Sequence, residues 1–173
     1  MSRIDYDLTL IRGVVFDMDG VLSCSAVSVR EDGTLQRTSN VKDGYAIQYA
    51  LRHGLRIAII SGARDESMLP AYNSLGLTDV YFKCEDKTVA LSAWMDKHGL
   101  SGKEVAYVGD DIPDIEAMGL VGLPAVPRDA AIEVRRIAKY ISPVDGGCGV
   151  ARDLISQVLS AQGKWMLEDA TKW

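Results

Sequence analysis

Two carboxylates stand two positions apart in "VVFDMDGVLS", at Asp17 and Asp19, directly after an apolar run. A second acidic group follows another apolar run in "EVAYVGDDIPD", giving Asp110, Asp111 and Asp114. Ser61 and Gly62 end "LRIAIISG", and Lys87 opens the segment after "DVYFKC". Carboxylates crowded together repel one another unless a cation offsets the charge. Hard oxygen ligands with room for water suit Mg²⁺, which takes a few carboxylates and a phosphate oxygen. The ammonium of Lys87 and the hydroxyl of Ser61 then read as phosphate ligands. Asp17 is placed to attack phosphorus as a covalent nucleophile. Asp19 is placed to protonate the leaving alkoxide, then to take a proton from the water that hydrolyses the aspartyl phosphate. The chemistry indicated is phosphoryl transfer from a monoester.

These residues meet only if a particular set of elements carries them. The segments 11–17, 55–61, 79–84 and 104–110 are short, rich in Val, Ile, Tyr and Phe, and nearly continuous in apolar character. Strands read this way when a parallel sheet is covered on both faces. Helical patterns lie between them, at 42–54, 65–76, 86–99, 129–140 and 149–163. Asp86 is a candidate cap, and Gly54, Gly76 and Gly99 are candidate stops. Pro70 falls in or near the first turn of its helix. Strands alternating with helices predict an α/β fold, a single doubly wound Rossmann-like parallel sheet. In such sheets ligands bind beyond the carboxyl ends of the strands, and every candidate residue sits at such an end or just past it.

The segment 25–40 breaks the rhythm. Two β-type runs flank Glu31-Asp32-Gly33, a hairpin signal. A β-hairpin flap projecting from the sheet is therefore expected, with no large cap domain. Residues 1–163 form the single domain and 164–173 a polar, aromatic tail. Across 173 residues, 47% are hydrophobic and the net charge is −5, which suits one globular core and gives no basic face for nucleic acid. No apolar run reaches membrane-spanning length, and "MSRIDYDLTL" has acids where a signal peptide has its apolar stretch, so a cytoplasmic, soluble protein is expected. Cys24, Cys84 and Cys148 are scattered, without CxxC spacing, and read as reduced thiols.

"DMDGVL", "IISG", Lys87 and "GDDIPD" together resemble the four motifs of the haloacid dehalogenase superfamily in its phosphatase form, over roughly residues 11 to 160. The resemblance implies Mg²⁺ held by the Asp17 side chain, the Asp19 carbonyl and the Asp110 side chain. It implies that Asp111 acts directly or through water, and that Asp114 is a supporting acid. Ser61, Gly62 and Lys87 become the phosphate-binding set. "NVKDGYAI" (40–47) and "GGCGVARD" (146–153) are further similar to segments of the 3-deoxy-D-manno-octulosonate 8-phosphate (KDO 8-phosphate) phosphatases. That family implies a homotetramer whose hairpins form a central barrel, and a tail that can cover a neighbour's site. It implies a phosphorylated sugar acid as substrate, in lipopolysaccharide precursor synthesis. Cations must meet the substrate carboxylate, and the candidates are Lys42, Arg64 and Arg152.

The chain departs from the family pattern at Ser23-Cys24-Ser25, where Thr-Asp-Gly is usual, and at Ser39, where phenylalanine is usual. In its second motif Ala63 intervenes before Arg64. These positions touch the sugar-reading region rather than the phosphoryl-transfer core. A nine-carbon sialic-acid-type 9-phosphate is the alternative substrate, and a broad-specificity sugar phosphatase a further one. A non-enzymatic oligomerisation module would show damage at Asp17, Asp19, Lys87 or Asp110, and none is damaged.

Overall fold

The computed structural model describes residues 4–172. Its frame is a six-stranded parallel sheet with strand order β5-β4-β1-β6-β7-β8. The strands are β1 (Gly13–Phe16), β4 (Arg56–Ile60), β5 (Val80–Tyr81), β6 (Val105–Val108), β7 (Leu123–Val126) and β8 (Tyr140–Ile141). β1 lies at the centre, with Val14 paired to Ile57 on one side and to Ala106 on the other. The chain therefore winds outward in both directions from β1, and the crevice at the carboxyl ends of β1, β4 and β6 is the topological switch point.

Both faces of the sheet are buried. Val14 and Phe16 of β1, with Ile57 and Ile59 of β4, pack under α1 (Val41–Arg52) and α6 (Val150–Ala161). Val15, Ala58 and Ile60 pack on the opposite face under α3 (Lys87–His98), α4 (Ile115–Gly119) and α5 (Ile132–Arg135). Neighbouring residues of one strand thus serve two cores, which is why the strands read as continuous apolar runs rather than alternating ones. Helix ends follow local chemistry. Asn40 caps α1 by accepting from the amides of Lys42 and Asp43. Asp86 caps α3 by accepting from Thr88, and Gly99 ends it in the left-handed region.

The expected hairpin is present as two antiparallel two-residue strands, β2 (Ser28–Val29) and β3 (Leu35–Gln36), with Val29 opposite Leu35. It projects from the chain between β1 and α1.

Two expectations are corrected. The helix expected over 129–140 shrinks to α5, because Tyr140 leaves the helical path to pair with Ala125 of β7 and is buried there. The helix expected over 65–76 is the six-residue α2 (Leu69–Ser74), with Pro70 in its first turn. Strands β7 and β8 add to the four expected; in β7 the carbonyl of Pro124 accepts from the amide of Lys139 at 2.9 Å.

The tail folds back on its own subunit. Trp165 lies edge-on to Tyr49 at 5.1 Å between ring centroids, and the hydroxyl of Tyr49 donates to the carbonyl of Lys164 at 3.0 Å. No helix among the described residues is long and apolar enough to cross a membrane.

Candidate active site

Each strand end hands over a side chain because the ladder continues just past it. The amide of Asp17 donates to the carbonyl of Val108 at 2.9 Å, fixing Asp17 as the first residue beyond β1. The amide of Ser61 donates to Tyr81 at 2.9 Å and does the same beyond β4. The chain then turns after Asp19 through Gly20, whose φ is +81°. A Cβ at Gly20 would fall 1.9 Å from Oδ2 of Asp110, so only glycine lets the β1 and β6 loops meet. The glycine-rich stretch before α6 supports this turn from behind. A Cβ at Gly146 would lie 2.0 Å from the Gly20 carbonyl oxygen, and the amide of Gly147 donates to Val21 at 2.8 Å.

Lys87 is the electrostatic centre. Its Nζ lies 2.9 Å from Oδ2 of Asp17 and 2.7 Å from Oδ1 of Asp114, and its side chain is 6% exposed. Burial alone would depress the lysine, but the charges of Asp17 and Asp114 more than reverse this and hold it above its ordinary pKa. Asp114 is fully buried. Its Oδ1 also accepts from the hydroxyl of Tyr107 at 2.9 Å, and its Oδ2 accepts from the amide of Asp110 at 3.0 Å. It therefore shapes the loop after β6 as well as holding Lys87.

Asp17, Asp110 and Asp114 offer oxygens that all lie within 4.8 Å of one another. Burial, then the charge of Asp17 and of Asp114, push the carboxyl of Asp110 up to about 7. Burial and the charge of Asp114 likewise raise Asp17, against the pull of Lys87. Such an all-oxygen cluster, held at a disfavoured charge, fits a hard divalent cation. Asp17 and Asp110 could hold Mg²⁺, while Asp114 is fully buried and already meets three donors, Lys87, Tyr107 and the Asp110 amide.

The cleft over this cluster has a volume of about 380 Å³. Asp17, Asp19, Ser61, Gly62, Lys87, Asp110, Asp111 and Asp114 all line it, so every residue expected for phosphoryl transfer is brought to one place. Asp111 stands apart in one respect. Its Oδ1 accepts from the amide of Ile112 at 2.8 Å, capping a short 3-10 turn, and its carboxylate is outside the three-acid cluster.

The same fold, with a related sequence, occurs in known phosphatases. The chain is 35% identical to the KDO 8-phosphate phosphatase KdsC of Escherichia coli K12, covering 89% of this chain and 82% of that protein. The chain belongs to the KDO 8-phosphate phosphatase family, within the haloacid dehalogenase superfamily. Among solved structures, the family's enzyme from Moraxella catarrhalis, in complex with magnesium ion, phosphate ion and KDO, superposes with a TM-score of 0.89 at 28% identity, over 96% of each chain. The Yersinia pestis KDO 8-phosphate phosphatase gives 0.88 at 32% identity, covering 91% of this chain and 85% of that one. No protein-family model matches.

Membership in this phosphatase family does not place the sugar-reading cations in the cleft. Lys42 is exposed at the start of α1, Arg64 is exposed beyond Gly62, and neither lines it. The guanidinium of Arg152 lies over the rings of Tyr45, at 5.3 Å, and Trp165, at 4.7 Å, and also stands outside the cleft. Within one subunit the three do not converge on the phosphate site. Sequence reasoning missed Arg37, whose guanidinium grips Asp19. Nothing in its spacing marks it, because it stands in the hairpin, where charged residues read as solvated.

Proposed function

We propose that this protein hydrolyses 3-deoxy-D-manno-octulosonate 8-phosphate to KDO and inorganic phosphate, with Mg²⁺ bound, through a phosphorylated Asp17. The observation that carries the reading is Lys87 bridging Asp17 and Asp114 beside Asp110 at the switch point. The relatives' names supply the substrate.

Asp17 attacks phosphorus, the phosphorus–oxygen bond to the sugar breaks, and Asp19 gives its proton to the departing alkoxide. Water then attacks the aspartyl phosphate while Asp19 takes its proton, and phosphate leaves with Asp17 restored. Lys87 offsets the charge of both the nucleophile and the transferring oxygens. Ser61 and Gly62 flank the phosphate on the β4 side. When bound, Mg²⁺ supplies charge neutralisation and orientation at that phosphate.

The protein acts as a homotetramer in this reading, consistent with a cleft that is incomplete alone. Among the described residues, Lys87 is the single cation lining it, and its ammonium already faces two carboxylates. A substrate carboxylate must therefore meet a cation brought from elsewhere, such as a neighbouring subunit. The same observation keeps a broad-specificity sugar phosphatase as an alternative, because no sugar reader is built into the single-subunit cleft, and a nine-carbon 9-phosphate remains a second alternative substrate.

The deciding experiment measures Mg²⁺-dependent phosphate release from 3-deoxy-octulosonate 8-phosphate, nine-carbon 9-phosphates and simple sugar phosphates, with Asp17→Asn as blank. A kcat/KM preference of about tenfold or more for the eight-carbon substrate, about 1.4 kcal/mol in the transition state, is expected. A nine-carbon preference would keep the chemistry and change the substrate. Activity equal to wild type in Asp17→Asn would overturn the mechanism.

A further inference from the structure

We propose that Arg37 is a positioning residue, which aims the Asp19 carboxylate at the leaving oxygen by a two-point grip from the hairpin. The proposal rests on the reading of Asp19 as the acid/base. Arg37 follows β3 directly, and its side chain is 1% exposed. Its Nε donates to Oδ1 of Asp19 at 2.7 Å and its Nη2 to Oδ2 at 3.0 Å. Its Nη1 donates to Oδ2 of Asp65 at 3.0 Å. Asp65 is in turn held by the amide and hydroxyl of Ser67, at 2.9 and 3.0 Å. One guanidinium thus ties together the loop after β1, the hairpin and the loop after β4.

The geometry separates the grip from the chemistry. Asp19 lines the cleft and Arg37 does not, so the guanidinium holds the carboxylate from outside. The terminal torsion of an aspartate is soft, with a broad range of carboxylate orientations. Two parallel N–H···O bonds fix that plane, which a point charge such as lysine cannot do. They take one lone pair on each oxygen and leave the others for the cleft. Proton delivery to the sugar alkoxide requires that orientation at hydrogen-bond range, and a displacement of about 1 Å lowers such a rate by up to about 10²-fold.

The test uses the full-length Mg²⁺ enzyme and two leaving groups. A sugar alkoxide must be protonated as it departs, whereas 4-nitrophenolate leaves without a proton. kcat/KM reports only as far as the first irreversible step, so later hydrolysis of the phosphoenzyme does not enter. For Arg37→Ala we expect about tenfold or more loss of kcat/KM on 3-deoxy-octulosonate 8-phosphate, and less than about threefold on 4-nitrophenyl phosphate. Arg37→Lys, which also serves if the alanine variant does not fold, is expected to show the same selective loss. In an Asp19→Asn background, Arg37→Ala is expected to cause no further loss. Equal losses on both substrates, full activity in Arg37→Lys, or an added loss in the Asp19→Asn background would overturn the proposal. Asp19→Asn retaining wild-type activity on the sugar phosphate would instead overturn the role of Asp19 itself.

Discussion

At the residue scale, the site is a balance of charge that Lys87 alone leaves incomplete. One buried ammonium stands against Asp17 and Asp114, with Asp110 close by. A carboxyl whose folded pKa is raised binds its proton more tightly when folded. Its contribution to stability is present below the unfolded value of 3.8 and is lost as pH rises through the folded value, about 7 for Asp110. A divalent cation competes with that proton for the same oxygens. Mg²⁺ should therefore raise the melting temperature more at about pH 8 than at about pH 6. Thermal melts with and without Mg²⁺ at the two pH values check this, and an equal or reversed shift would show that no proton competes with Mg²⁺ at these carboxylates in this range. The three acids lie in motifs that mark them plainly. What the residue types left open was the split between ligand and scaffold: Asp114, one turn beyond the pair, is occupied with Lys87 and Tyr107, while Asp111 caps a turn.

At the element scale, α1 and α6 pack side by side, and one buried carboxylate joins them. Oδ1 of Asp43 on α1 accepts from the amide of Arg152 in the first turn of α6 at 2.7 Å. Burial pushes its pKa up to about 6, against the amides of Arg152 and Ala151 that pull it down. The folded state thus holds the proton more tightly than the unfolded one between 3.8 and about 6, and stability from this group falls as pH rises through that window. A shift of about two units corresponds to about 3 kcal/mol at most. Chemical denaturation of wild type and Asp43→Asn at pH 4 and pH 7 should show the wild type losing up to that amount relative to the variant. Parallel pH profiles would show that Asp43 does not titrate in this range. The glycine-rich stretch leading into α6 belongs to the same scale. Its similarity to the family signature drew attention to Arg152, yet its glycines are what touch the active-site loop, at Gly20 and Val21.

At the scale of the whole molecule, the hairpin is too short to be stable on its own, with two residue pairs between its strands. Val29 at its outer end is 68% exposed. If hairpins of several subunits assemble, Val29→Asp should disrupt them, since a charge would be buried in an apolar contact. Light scattering should then show a loss of mass relative to wild type. An unchanged mass would refute the hairpin's role in assembly. This substitution leaves Arg37 in place, so the effect on assembly is separable from the grip on Asp19. Loss of sugar-acid phosphatase activity on dissociation, with 4-nitrophenyl phosphate turnover retained, would further support a reader supplied by a neighbour.

The sequence by itself determined the α/β class, four of the six parallel strands, and the set of acids, lysine and serine that the strand ends bring to one cleft. Buried parallel strands write themselves as continuous apolar runs, and several acids gathered at their ends repel one another unless a cation offsets them. The tertiary structure alone decided what depends on contacts distant in sequence. Tyr140 became a strand residue because β7 offered its edge, and Pro124 sits in the sheet as an acceptor, its carbonyl taking the amide of Lys139. Arg152 turned to Tyr45 and Trp165 because the tail folds back over α1. Arg37 reached Asp19 and Asp65 because the hairpin returns the chain to the mouth of the site. Periodicity records which face of an element is buried, but it carries no record of which distant side chain that face will meet.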